Sequence, residues 1–197
     1  MANQKRRDQI ANAALILFDA RGYHATSMED IAKAVGMRAS SLYNHFRSKQ
    51  ELLAEVAINA MEELLRFNAT AIAGIDNPVD KLAAAMRSHV IFHTTHARAA
   101  RVINTEIGSL EEPHHSVVIE LRRDYVSRWM KIVHDGMATG VFQANDVKIS
   151  CWALIDMGIG VSKWYADDGQ YSPEELGNMY AGFALQQLLA DAPAEAS

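Results

Sequence analysis

The chain has 197 residues, 49% of them apolar, which is enough for a sizeable core and suits two compact units that share a long helix. Its net charge of −5 is unevenly divided: residues 1–50 carry eight Lys and Arg against four Asp and Glu, a net of +4, and the remainder carries 11 against 20, a net of −9. This division argues against a nonspecific polyanion binder and a membrane-surface protein, and it confines the excess of positive charge to the N-terminal end.

The cysteine content and the first residues predict the compartment. Cys151 is the only cysteine, so an intrachain disulfide is excluded. Residues 3–9 are polar and charged, unlike a signal peptide, and no apolar run reaches membrane-spanning length. We therefore expect a cytoplasmic protein with no membrane partner.

The first predicted helix covers residues 3–20, where apolar residues recur every three or four positions and Gly22 follows as a stop. Three cations, Lys5, Arg6 and Arg7, lead into this helix. Two interpretations stay open for them: a solvated, frayed terminus, or an arm that touches a phosphate or the minor groove of DNA.

The next stretch predicts a helix, a tight turn, a second helix and the start of a third. Either Thr26 or Ser27 can cap the first of these, because each is followed three residues later by the acidic residue of a capping box. Gly36 stands where the chain leaves that helix and turns sharply, a position that favours positive φ. Leu42 and Phe46, four residues apart, anchor the second helix to the core.

This arrangement is typical of a helix-turn-helix, whose second helix enters the major groove of DNA. Small side chains on that helix allow a close approach to base edges, and the aromatic and basic residues beside it reach phosphates. A plain helical hairpin explains any single position, but the joint pattern favours DNA binding. The candidate DNA-contacting residues are Thr26, Ser27, Arg38, Ala39, Ser40, Ser41, Tyr43, Asn44, His45 and Lys49.

The pattern AxxxFxxxGYxxTSMxDIAxAxGxxxxSLYxHFxSKxELL, over residues 14–53, resembles the N-terminal domain of the TetR family of transcriptional repressors. The resemblance covers roughly the first quarter of the chain, and the pattern is highly specific. Arg38 departs from it, because the family commonly has a Ser or Thr there as the cap of the recognition helix. An Arg gives up an N-cap worth about 1 kcal/mol, and contact with a phosphate or a base is its alternative role.

From Ser48 a helix runs without a breaker to about residue 73, too long to belong to the DNA-binding module alone. We expect it to be shared between a DNA-binding domain at residues 1–50 and a ligand-binding and dimerisation domain at residues 51–197. Five further helices follow, at residues 79–94, 97–108, 113–139, 146–165 and 173–190. No strand-like alternation appears, so the predicted fold class is all-α with about nine helices.

His89, His93 and His96 recur at i, i+4 and i+7 and raise the question of a metal site. Apolar residues surround them, no acidic ligand shares that helix face, and Cys151 stands alone, so polar residues lining a cavity or a helix edge are the favoured interpretation. The sequence has no Gly-rich phosphate loop, nucleophile elbow or paired-carboxylate signature. We therefore predict no metal, no cofactor and no enzyme activity.

The middle helices carry many bulky residues of mixed character. Any one of them is more often a core residue, but together they suit a largely apolar pocket with a few polar anchors. The candidate ligand-binding residues are Met86, His89, Phe92, His93, Glu106, Tyr125, Trp129, Trp152, Asp156, Lys163 and Trp164.

The last two helices are unusually rich in Gly and Ala. Gly in a helix interior costs up to about 1 kcal/mol relative to Ala, and close helix–helix approach is the simplest compensation. Packing within one subunit and pairing with a second copy as a four-helix bundle both stay open. The resemblance favours the homodimer, because TetR regulators usually dimerise through their last two long helices. The candidate dimerisation residues are Gly158, Ala181, Gly182 and Phe183.

A narrower resemblance lies in the same helices. The segments VSKWY at residues 161–165 and EELGNMY at residues 174–180 are similar to the C-terminal part of TetR-type repressors of steroid-ring catabolism, which respond to a CoA thioester. The resemblance implies an acyl-CoA or a related acid as effector. Cations available for its nucleotide are Lys163, Arg101, Arg122 and Arg128, although solvated helix faces explain them equally well.

The sequence therefore predicts a ligand-responsive repressor that binds a palindromic operator in double-stranded DNA as a homodimer and is released by a small hydrophobic effector. Two alternatives remain: a ligand-independent architectural DNA-binding protein, and a helical-bundle enzyme or metal sensor.

Overall fold

The computed structural model describes residues 2–190, and every regular element in that range is helical. The helices are α1 (Ala2–Arg21), α2 (Met28–Ala34), α3 (Ala39–Leu42), α4 (Lys49–Ile72), α5 (Pro78–Thr95), α6 (Ala97–Thr105), α7 (His114–Ala138), α8 (Val147–Trp164) and α9 (Pro173–Leu188), with a 3₁₀ turn at Ile107–Ser109. An isolated antiparallel bridge joins Phe142 to Leu189. The all-α prediction is confirmed. No helix within these residues has the length and apolarity needed to cross a membrane.

The chain divides into two compact units, each assembled from separate segments. The first unit comprises Met1–Glu63 and His96–Arg122, and the second comprises Leu64–Thr95 and Arg123–Ser197. Helices α4 and α7 each contribute residues to both units without interruption. The functional boundary expected after residue 50 remains a prediction, and the last seven residues of the predicted second domain lie outside the described range.

The first helix of the predicted motif begins with a reciprocal capping box. The Ser27 hydroxyl accepts the Asp30 backbone N–H at 3.1 Å, and the Asp30 carboxylate accepts the Ser27 N–H at 3.0 Å. Thr26 is buried instead, and its hydroxyl donates to the Gly22 carbonyl at 2.9 Å. Of the two caps that the sequence allows, Ser27 is therefore the one used. Gly36 has a φ of 64°, as predicted for the turn.

The second helix of the motif is shorter than predicted. Only Ala39–Leu42 is regular α-helix, and the N–H groups of Asn44 and His45 bond three residues back, so the chain continues in tight turns to Phe46. Leu42 and Phe46 are fully buried, which confirms them as anchors. Arg38 precedes the helix in an extended conformation without a side-chain cap, which confirms the missing N-cap.

Helix α6 also ends earlier than predicted, at Thr105 instead of residue 108. The N–H of Ser109 bonds the Glu106 carbonyl at 2.9 Å, and this three-residue spacing converts the chain into the 3₁₀ turn. Tertiary contacts explain the change, because Gln50 of α4 accepts the Glu111 N–H at 3.1 Å and donates to the Ser109 carbonyl at 2.7 Å. Local periodicity carries no information about such a partner.

Helix α5 is central in the second unit, because α8 and α9 both pack against it. A Cβ added at Gly177 of α9 would lie 3.3 Å from the Arg87 carbonyl oxygen, so the backbones of α9 and α5 approach closely there. The interior is filled by bulky, fully buried side chains. They include Met86, Val90, Phe92, Trp129, Val133 and Leu154.

Candidate nucleic-acid interface and ligand-binding core

Exposed side chains follow one face of the helix-turn-helix. Ser40, Tyr43, Asn44 and Arg47 are all exposed, Tyr43 by 47%, and the last three line the same cleft. Two hydroxyls, an amide and a guanidinium are the groups that donate to base edges and phosphate oxygens. Ser40, Tyr43 and Asn44, which belong to the predicted DNA-contacting set, are therefore accessible to solvent. Arg38 is exposed as well, and Ala39, Ser41 and His45 are half-buried.

Arg47 is a residue that the sequence prediction missed. It lies beyond the regular helix, and its positive charge directly after the anchor Phe46 is the signal that could have identified it. The structure places it on a cleft in the first unit together with neighbours of similar polarity. The residues that line this cleft are Arg7, Tyr43, Asn44, His45, Arg47, Ser48, Glu51 and His114.

Three predicted DNA contacts are instead engaged within the protein. The hydroxyl of Thr26 bonds inside the first unit, and that of Ser27 bonds Asp30 at 2.6 Å and, with the Ser27 backbone N–H, holds the pKa of Asp30 below its ordinary value. Lys49 Nζ donates to the carbonyls of Tyr23 and Thr26, both at 2.8 Å, and lies 4.1 Å from the Tyr23 ring centroid. Lys49 therefore attaches the connection between α1 and α2 to the start of α4. These two bonds use two of the three N–H groups of its ammonium.

Arg6 and Arg7 form hydrogen bonds within the first unit, so they do not belong to a frayed terminus, and contact of these cations with DNA stays a prediction. Arg6 Nη2 donates to the Val35 carbonyl at 3.1 Å, and Arg7 Nη1 donates to the His45 carbonyl. Carbonyls at the ends of helices lack intrahelical partners, which is why guanidinium groups settle there. Lys5 is exposed.

Gln50 connects three segments of the first unit, and the sequence gives no sign of it. Besides its bonds to Ser109 and Glu111, its Nε2 donates to the Tyr23 hydroxyl at 2.9 Å. Burial raises the pKa of Tyr23, so the phenol stays protonated. Glu106, predicted to bind ligand, belongs to this network, because its carboxylate accepts the Tyr23 backbone N–H at 3.2 Å. It therefore belongs to the first unit, whereas the other ligand candidates belong to the second.

Six predicted ligand-binding residues are brought together in the core of the second unit. His89 is at the centre, with its ring centroid 4.2 Å from that of His93 and 5.7 Å from those of Tyr125 and Trp129. The members are Met86, His89, Phe92, His93, Tyr125 and Trp129, each at most 3% exposed. We call these six residues the aromatic–histidine core.

Hydrogen bonds fix the protonation of His89. Its Nε2 lies 3.0 Å from the Ile155 carbonyl, which only accepts, so Nε2 carries the hydrogen and Nδ1 accepts the Tyr125 hydroxyl at 2.8 Å. Burial, and then the neighbouring His93, hold the pKa of His89 well below its ordinary value, and burial raises the pKa of Tyr125. The core is therefore uncharged at His89 and Tyr125.

The hydrogen bonds of His89 also concern the metal site that was considered for His89, His93 and His96. Both ring nitrogens of His89 are occupied, and His93 Nδ1 donates to the His89 carbonyl at 2.8 Å. Across residues 2–190, no three His, Cys, Asp or Glu side chains are grouped as metal ligands.

The structure separates the remaining ligand candidates from the aromatic–histidine core. Trp152 and Trp164 on α8 are 51% and 54% exposed, and Asp156 and Lys163 are exposed on the same helix. A large or amphipathic side chain does not reveal from sequence which face of its helix is buried. Of the proposed nucleotide cations, Arg101 pairs with Asp19, Arg122 donates to Asn104 and Arg128 pairs with Asp124.

The four dimerisation candidates fall into two pairs. Gly158 is buried, and a Cβ there would overlap the His89 ring, 2.7 Å from Nε2, while Ala181 is 3% exposed. Packing within the chain is therefore sufficient to explain why small residues stand at these two positions. Gly182 is exposed with nothing within 4 Å of an added Cβ, and Phe183 is 50% exposed.

Comparison with known families gives two matches along the chain. The family described as bacterial regulatory proteins, tetR family, matches residues 10–56. The family described as tetracyclin repressor-like, C-terminal domain, matches residues 76–188, more than half of the chain.

Individual relatives match over most of their length. The HTH-type transcriptional repressor KstR2 of Mycolicibacterium smegmatis is 28% identical over 183 residues, 91% of this chain and 89% of that protein. KstR2 of Rhodococcus jostii is 26% identical over 186 residues, 93% and 91% of the two chains.

Solved structures share the fold. A bacterial regulatory protein in the tetR family from Rhodococcus RHA1 superposes with a TM-score of 0.88 at 26% identity, covering 94% of this chain and 98% of that chain. AibR in complex with isovaleryl coenzyme A and operator DNA gives a TM-score of 0.83 at 24% identity, covering 90% and 97%. At that identity the likeness to AibR is one of fold.

Proposed function

The chain belongs to the TetR family of bacterial regulatory proteins, and from that premise we propose that it is a ligand-responsive transcriptional repressor that binds a palindromic operator as a homodimer. The observation that carries the proposal is the exposed face of Ser40, Tyr43, Asn44 and Arg47, set on a motif whose helix is capped by Ser27 and anchored by buried side chains. A face of this kind presents donors and acceptors to a groove in one fixed arrangement.

Two kinds of contact are divided among these residues. Ser40 and Asn44 carry the short hydroxyl and amide groups that read base edges, and Tyr43 and Arg47 carry longer groups that reach phosphates. The net charge of +4 on residues 1–50 supports approach to DNA by this end of the chain. We therefore assign sequence preference to Ser40 and Asn44 and much of the general affinity to Tyr43 and Arg47.

We expect the wild-type protein to select a pseudo-palindrome from a library of random duplexes. Asn44→Ala should lower discrimination at one position per half-site by about 1–3 kcal/mol. Arg47→Ala should instead weaken binding to all sequences and reduce the salt slope by about one per half-site. Selection followed by fluorescence anisotropy from 50 to 200 mM salt, the range over which phosphate contacts lose most affinity, measures both effects.

The matched control is Arg87→Ala, which removes an exposed arginine from the second unit and should leave both quantities unchanged. Failure of the wild-type protein to enrich any sequence would refute DNA-reading as the function. A wild-type salt slope in Arg47→Ala would remove Arg47 from the phosphate contacts.

The effector that we propose is an acyl-CoA or a related hydrophobic acid. The segments shared with CoA-responsive repressors support it, as does the fold shared with AibR, whose solved complex contains isovaleryl coenzyme A. The acyl part would enter the aromatic–histidine core, where the buried Trp129 indole N–H lies beside the Tyr125 hydroxyl. Because His89 and Tyr125 are uncharged, the buried end of the effector is uncharged too, and its phosphates stay outside near exposed Lys163.

Release from DNA requires that the effector and the operator prefer different conformations. The core side chains are almost fully buried, so an effector must separate them to enter, and this gives the two states different packing. A difference in effector affinity of about 3 kcal/mol between the states would change operator affinity roughly 150-fold.

Lys163→Ala is expected to weaken binding of the CoA thioester and to leave binding of the free acid unchanged, because only the thioester brings phosphates. Isothermal titration of isovaleryl coenzyme A, other acyl-CoA thioesters and their free acids against both proteins measures this. Lys148→Ala, which removes another exposed lysine of α8, is the matched control. Equal losses for thioester and acid would exclude Lys163 from the nucleotide site, and no binding by the wild type would exclude this effector class.

A further inference from the structure

A pair of arginines at the start of α1 turns inward onto the helix-turn-helix. Arg6 donates to the carbonyl of Val35, which is the C-cap residue of α2. Arg7 donates to the carbonyl of His45, three residues after the end of α3. Helix ends leave carbonyls without intrahelical partners, and a charged donor on such a group makes a stronger hydrogen bond than a neutral one. The C-terminal ends of both helices of the motif are thus held from α1.

Arg7 makes more contacts than its neighbour. Its guanidinium carbon lies 4.1 Å from the centroid of the Phe46 ring, and Phe46 is fully buried. The same group pairs with Glu55 and lies 3.7 Å from Glu51, both on α4. One planar guanidinium therefore joins the end of the reading segment, residues 39–46, to the long helix behind it.

The surroundings of Arg7 favour contacts within the protein over a phosphate contact, although Arg7 also lines the cleft that carries Arg47. Its side chain is 24% exposed and faces two carboxylates, so little positive charge is left for DNA. Glu51 is itself fixed, because it accepts the Arg47 backbone N–H at 2.7 Å. Through Glu51, Arg7 is therefore connected to the backbone of the exposed Arg47.

We propose that Arg7 is a positioning residue for operator reading: it holds residues 39–46 at one angle on α4, so that Ser40, Tyr43 and Asn44 meet the bases together, without touching DNA itself. The inference rests on the proposed function. It predicts that loss of Arg7 lowers affinity for the operator and spares nonspecific binding, whereas loss of a phosphate contact lowers both.

The DNA test compares Arg7→Met and Arg7→Lys with Lys5→Met. The probes are the duplex that the wild-type protein selects and a scrambled duplex of equal length. Arg7→Met should lose about ten- to a hundredfold in affinity for the selected duplex, the range for one or two charge-assisted hydrogen bonds. Its affinity for the scrambled duplex and its salt slope should stay at wild-type values. Arg7→Lys keeps the charge but not the planar fork, so it should show the same pattern, less strongly.

The control, Lys5→Met, removes an exposed charge from the same helix and should keep the wild-type ratio of selected to scrambled binding. Equal losses on both duplexes with a lower salt slope in Arg7→Met would overturn the proposal and make Arg7 a phosphate contact. Full rescue by Arg7→Lys would overturn it as well.

Hydrogen exchange followed by mass spectrometry tests the same proposal without DNA. Peptides covering residues 39–46 should exchange faster in Arg7→Met, while peptides from α8 and α9 keep wild-type protection. Unchanged exchange at residues 39–46 would overturn the proposal. Lost protection throughout the chain would also overturn it, because Arg7 would then serve general stability. If the wild-type protein selects no DNA sequence, the proposed function fails, and the exchange result still decides whether Arg7 holds the reading segment.

Discussion

Replacing Phe183 by Glu is expected to leave the protein monomeric and to lower its operator affinity by a factor of roughly 10²–10⁴, the usual gain from joining two binding modules. Phe183 is half exposed, packs its ring 5.7 Å from that of Tyr180, and follows Gly182, where an added Cβ would meet nothing. Met179 on the same helix, and Ile149 and Trp152 on α8, are exposed apolar side chains too. A charge introduced into such a surface would be desolvated on dimerisation without a partner.

Sedimentation equilibrium at micromolar concentration and anisotropy with the selected duplex measure the two effects of Phe183→Glu. Val117→Glu introduces the same charge at another exposed apolar residue, on α7, and should change neither. A monomeric wild-type protein, or a Phe183→Glu variant that stays dimeric with full operator affinity, would contradict the proposed dimer.

Gly158→Ala is expected to destabilise the fold by about 2–3 kcal/mol, the combined result of overpacking and a disturbed buried hydrogen bond. The added methyl would overlap the His89 ring, and that ring has no room to yield. It is fully buried, bonded to Tyr125 and to the Ile155 carbonyl, and in contact with His93. For a chain of this length, the midpoint of thermal unfolding should fall by roughly 5–10 °C.

Gly160→Ala is the matched control for this variant. Gly160 lies in the same helix, and an added Cβ there would meet nothing within 4 Å, so the better helix propensity of Ala should leave stability equal or higher. Differential scanning calorimetry at one protein concentration compares the two variants. Equal midpoints for Gly158→Ala and the wild type would show that the His89 ring moves freely.

Helix types and most helix limits were predictable, because they depend on local signals. Periodic apolar residues, Pro and Gly at helix limits, and the Ser172 cap of α9 all act within a few residues of each other. Helix α6 was predicted too long because distant residues decide its end: it is shortened by bonds to Gln50, 59 residues before Ser109. Thr26 and Ser27 both fit a capping box, and the sequence does not show that Thr26 is buried and bonded to Gly22.

The candidate sites were predictable to a different degree. On the DNA-reading motif, spacing identifies the buried anchors Leu42 and Phe46. It does not show that Arg7 and Lys49 bind backbone carbonyls. In the second unit, residue character alone cannot separate Trp129, which is fully buried, from Trp152, which is half exposed. Burial depends on which face of each helix meets α5, and that choice is made by the whole fold.

The division of the sequence between the two units limits how this protein can be cut or recombined. The chain passes from one unit to the other three times, after Glu63, Thr95 and Arg122, and two of these points fall inside the continuous helices α4 and α7. No single break in the gene therefore yields either unit as a fragment. A chimera joined after residue 50 would graft foreign residues 51–63 and 96–122 into the first unit. Such a chimera must also carry over the partners of Gln50 and Arg7 to keep its reading segment in place.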